Sequence, residues 1–137
     1  MRRYIDVGPN AATLSLVGPA KLTFDEDVMQ LQPVRLDTGC AVGLIGSFYR
    51  FDRLPDSWSW SHVVGFGGRV TSRYFTAALD LEPGWTIPVD VHLLEADIDW
   101  YLGLPVLMRC DILLRDRAEG PLLLADPVEL PGAHYDR

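Results

Sequence analysis

From Trp85 to Leu93 the chain alternates without interruption. Trp85, Ile87, Val89, Val91 and Leu93 fall on one side, and Thr86, Pro88, Asp90 and His92 on the other. Successive side chains of a strand point to opposite faces, so this segment reads as a half-buried strand of an antiparallel sheet. Before the Glu82-Pro83-Gly84 turn, Phe75, Ala77, Leu79 and Leu81 repeat the same period of two. A chain with this pattern at its centre is built from strands.

The rest of the sequence agrees. Residues 13–17 alternate and stop at Gly18-Pro19. Residues 20–24 and 28–31 flank Asp25-Glu26-Asp27, a hairpin tip. Pro33 to Leu36 lead into Asp37-Thr38-Gly39, and residues 52–59 read as a surface loop. A strand from Trp60 to Val64 runs into Gly65-Phe66-Gly67-Gly68. Proline is well tolerated in a first helical turn, so a short helix is expected near Pro105, with strands at Ile112–Leu114 and Leu122–Leu124. Ten prolines and twelve glycines spread among short apolar runs favour turns over long helices. The expectation is one domain over residues 1–137, all-β, a small closed or nearly closed barrel with one short helix near the C-terminal end.

Composition narrows the function. A net charge of −7, with no basic run longer than Arg2-Arg3, argues against nucleic acid as a partner, since phosphate binding needs clustered cations. Two cysteines, Cys40 and Cys110, do not make a disulfide framework. Met1 to Asp6 lack the apolar stretch of a signal peptide, and no apolar run approaches the roughly 20 residues that span a bilayer. A reduced, soluble, cytoplasmic protein without membrane contact is expected. His62, His92 and His134 have no metal-ligand spacing, so neither metal nor cofactor is expected. His92, on the polar side of its strand, reads as a solvated side chain, as do Asp97, Asp99 and Asp111 in their loops. Trp58 and Trp60 could line a groove or pack on the core.

Three short motifs carry the chemistry. Asp37-Thr38-Gly39 follows an apolar strand and precedes small residues. Alone it is weak, because average residue usage would produce such a tripeptide in roughly 3% of chains this long. As a plain turn it would need only local hydrogen bonding and permissive dihedrals. Gly65-Phe66-Gly67-Gly68 begins 65 − 37 = 28 positions later, between two strand patterns, and Tyr101-Leu102-Gly103 precedes the helical pattern.

In this order and spacing the motifs resemble the retropepsin-like aspartic proteases, closer to the cellular and bacterial branch than to the viral one. The resemblance covers about residues 11–115, and residues 116–137 form a tail beyond it. It implies an acid-protease-type barrel and an endopeptidase formed by two copies of the chain, each contributing Asp37. Thr38 would brace the paired active-site loops, and the Gly39 N–H would donate to the carboxylate. Gly65, Phe66, Gly67 and Gly68 would form a flap over a peptide or protein substrate, and Gly103 would support the active-site loop. Cys40 stands where the family usually has alanine or serine, and Leu104 where the viral enzymes have arginine.

The residue types suit that reaction. Hydrolysis of a peptide without metal or covalent intermediate needs a base for water and an acid for the carbonyl oxygen. Two adjacent carboxylates supply both, because they cannot ionise side by side and share one proton. With a single Asp-Thr-Gly in 137 residues, only a two-fold homodimer provides the pair. The alternative is a barrel of the same type that has lost proteolysis and serves as a dimerisation or peptide-binding module.

Overall fold

The computed structural model describes residues 4–10, 13–16, 19–65, 68–81, 85–114 and 122–127. Its longest ladder is the one that the alternation predicts. Strand β8 (Gly68–Leu81) pairs antiparallel with β9 (Trp85–Leu94), matching Phe75 with Val91, Ala77 with Val89, Leu79 with Ile87 and Leu81 with Trp85. Directly opposed residues of a ladder share a face, so these eight side chains form one apolar surface. All eight are buried, and β9 reads buried-exposed without a break from Trp85 to Val91.

The other strands are β1 (Tyr4–Asn10), β2 (Thr13–Leu16), β3 (Ala20–Phe24), β4 (Asp27–Leu31), β5 (Val34–Asp37), β6 (Leu44–Ser47), β7 (Ser59–Gly65), β10 (Trp100–Gly103), β11 (Cys110–Leu114) and β12 (Leu122–Pro127). Among the described residues these twelve make one sheet, in the order β11-β12-β1-β2-β5-β10-β6-β9-β8-β3-β4, with β7 on the free half of β8. The sheet curls into a nearly closed barrel, and the protein is all-β with one short helix, α1 (Leu104–Leu107), whose Pro105 sits in its first turn. No helix among the described residues is long and apolar enough to cross a membrane.

The main core gathers β3, β5, β6, β8, β9, β10 and α1 around Leu22, Leu44, Leu79, Val91, Leu93, Trp100 and Leu102. Its aromatic end is built on Trp58, which stacks on Phe75 at 3.9 Å between ring centroids, with Phe24 and Phe51 against it edge-on. Trp58 is therefore a core residue, whereas Trp60, two positions on, is 67% exposed and lies under the Arg73 guanidinium. Gly46 of β6 lies against the Trp100 ring so closely that a β-carbon there would overlap it.

Two polar residues differ from expectation. His92 is half-buried, stacked on Tyr74, with its Nδ1 3.1 Å from Ser72 Oγ. Thus the outer face of β9 is only partly wet there. Asp99 is also more than a solvated loop residue, since its carboxylate accepts from Arg35 Nε at 2.8 Å and lies 3.4 Å from Arg50. That ion-pair cluster ties β5 to the loop before β10. The side chain of Asp111, and all of His134, lie outside the described residues.

Candidate active site

Asp37 is the last residue of β5, and the chain turns immediately after it. The Cys40 N–H donates to the Asp37 carbonyl at 3.1 Å, and the Gly39 N–H donates to Asp37 Oδ1 at 2.9 Å. A β-carbon at position 39 would sit 3.2 Å from that same oxygen, so the carboxylate would have to shift by a few tenths of an ångström to admit one. Asp37 is half-exposed, and Thr38 and Gly39 are exposed.

The loop is held from behind by β10. That strand lies between β5 and β6, parallel to the first and antiparallel to the second, with Leu102 level with Leu36 and Gly103 level with Asp37. The Gly103 N–H donates to the Gly43 carbonyl and the Leu104 N–H to the Cys40 carbonyl, each at 2.9 Å. Backbone approaches so closely at Gly103 that a β-carbon would overlap the Val42 carbonyl oxygen. Only glycine leaves room for this approach of β10 to residues 40–43.

In front of Asp37 lies a cleft of about 480 Å³, lined by Asp37, Gly39, Cys40, Val42 and Tyr101 on one side and by His62, Val63 and Val64 of β7 on the other. Such a volume is in the range of small-molecule and peptide pockets. The β7–β8 hairpin forms the second wall and narrows to the pair Gly65 and Gly68. Gly68 has φ +155°, a backbone conformation that disfavours any other residue. Phe66 and Gly67, also expected in the flap, lie outside the described residues.

Cys40 is buried at the base of the cleft, its Sγ donating to the Val42 carbonyl at 3.4 Å. Burial pushes its thiol above the ordinary value, and the nearby Asp37 charge pushes the same way. Both disfavour the thiolate, so this cysteine is a poor nucleophile. Among the described residues, no group of three or more His, Cys, Asp or Glu side chains is arranged to hold a metal ion.

His62 and Tyr101 line the cleft, a place that the sequence alone does not assign to either. His62 Nε2 lies 2.9 Å from Arg69 across the hairpin. The signal for both was register. Once β7 and β10 are aligned beside Asp37, their side chains border the cleft, which neither the isolated His62 nor the place of Tyr101 ahead of Leu102-Gly103 foretells. Neither a protein-family model nor a curated protein matches the sequence.

Proposed function

We propose that the chain is a cytoplasmic aspartic endopeptidase that works as a homodimer, in which the two copies of Asp37 share one proton and activate water against a peptide bond. One observation carries the reading. Asp37 stands at the mouth of a cleft with its carboxylate gripped by the Gly39 N–H, while Thr38 and Gly39 beside it are exposed.

The Gly39 N–H fixes the orientation of the carboxylate, which suits a group that must take the proton from a water held in the cleft. The twin carboxyl then holds the shared proton and donates it to the carbonyl oxygen. An extended peptide fits between the active-site loop and β7, and the β7–β8 hairpin covers it. Both cysteines are free, which accords with a reducing compartment.

Incubation of the protein with a mixed peptide library between about pH 4 and 7, beside the Asp37→Asn variant, tests the reading. Cleavage by the wild-type protein alone is expected, together with sedimentation as a dimer. Cleavage that persists in the variant removes Asp37 from the chemistry. A dimer that never cleaves points instead to a peptide-binding or dimerisation module.

A further inference from the structure

A second cavity, of about 300 Å³, opens behind the loop that carries Asp37. Ala41 and Val42 form part of its wall and also part of the cleft in front. Val89 and Val106 add an apolar surface, and two groups of opposite charge, Asp90 and Arg109, line the same space.

These two charges are not in direct contact. Among the described residues no ion pair within 4.0 Å joins Asp90 to Arg109. Asp90 Oδ1 accepts from Thr76 Oγ1 at 3.0 Å, and its carboxylate remains exposed. Arg109 is half-buried, and its Nε is buried with no hydrogen-bond partner among the described residues. A buried donor without an acceptor is unfavourable, and folded proteins pair nearly all such groups.

We propose that this cavity binds a free α-amino acid with a small aliphatic side chain. The carboxylate takes the Arg109 guanidinium, the ammonium takes the Asp90 carboxylate, and the side chain lies on Val89 and Val106. A simple carboxylate would meet Asp90 as a like charge, and a simple amine would meet Arg109, so a zwitterion is the complement of the pair. The volume is at the small end for ligand pockets, which suits a molecule of this size. The site is distinct from the cleft that holds Asp37, although both share the wall at Ala41 and Val42.

Calorimetric titration of the full chain with L-valine, into the millimolar range, tests this without reference to proteolysis. Saturable binding is expected for the wild-type protein. Arg109→Gln and Asp90→Asn should each weaken it about tenfold or more, the loss of one charge-assisted contact. Two ligand-side controls on the unaltered protein guard against misfolded variants. Isovalerate lacks the ammonium, isobutylamine lacks the carboxylate, and both should bind far more weakly. The proposal is overturned if wild-type protein does not bind valine saturably, if isovalerate or isobutylamine binds as well as valine, or if either variant, shown folded by circular dichroism, binds valine like the wild type.

Discussion

Asp37 and Gly103 are register partners in the parallel ladder of β5 and β10, and at Gly103 the neighbouring Val42 carbonyl leaves no room for a β-carbon. The geometry of the acid therefore depends on the absence of a methyl group 103 − 37 = 66 positions away.

Gly103→Ala should lower stability by at least about 2 kcal/mol, because the obstructing atom is backbone and cannot swing aside. Urea unfolding followed by circular dichroism should show a lower midpoint at unchanged slope. The proposed cleavage activity should fall as well, since the displaced segment is the one that follows Asp37.

Trp58 and Trp60 should respond very differently to alanine. Trp58 is buried and stacked on Phe75, so Trp58→Ala should cost about 3–5 kcal/mol. Trp60 is 67% exposed and contributes a contact with Arg73, so Trp60→Ala should cost no more than about 1 kcal/mol. Thermal or denaturant midpoints of the two variants check the contrast.

His92 should make the protein less stable in mild acid. Burial lowers its pKa, with the Asp90 charge opposing. The unfolded chain then binds the proton more readily than the folded one, so stability rises with pH across the interval from the folded pKa up to about 6.5. The loss is complete below that interval, and above it His92 contributes no slope. His92→Gln should flatten this part of the stability–pH curve, as measured by denaturant titration at a series of pH values.

Cys40 should resist alkylation while the protein is folded. Its raised pKa and burial leave little thiolate at neutral pH. Iodoacetamide labelling followed by peptide mass mapping should show slow modification of Cys40 in the native protein and fast modification in urea. Rapid native labelling at neutral pH would contradict the described environment.

The strands that were legible in the sequence are those with one wet face and one dry face. β8 and β9 alternate over long stretches with turn residues around position 83 between them, and those around position 25 separate β3 from β4. The helix at Pro105 was legible for a different reason, the fixed φ of proline in a first turn. β1 was not legible. Tyr4 to Asn10 include a glycine and a proline and show no sustained alternation, and their strand form is seen in the pairing with β2 and β12.

At the candidate site, the tight packing around Gly39 and Gly103 was legible because a residue without a side chain admits neighbours that any other would crowd. The placement of β10 between β5 and β6 was not legible, for nothing local in Trp100 to Gly103 tells which strands it will join. Asp99 shows the same limit. Its neighbours in sequence suggest a solvated loop, while its partners Arg35 and Arg50 come from 64 and 49 positions away.

The insertion of β10 also sets a timetable for the chain. Emerging from the ribosome, residues 34–47 can be made long before residues 100–103 exist, so the turn at Asp37 must wait for its shelf. Contacts between such distant positions form slowly, because a long loop must close before they contribute. A nascent or C-terminally clipped chain that stops short of Trp100 should thus hold the aspartate in an unsupported turn. The turn that carries Asp37 is then one of the last parts of this polypeptide to settle into place.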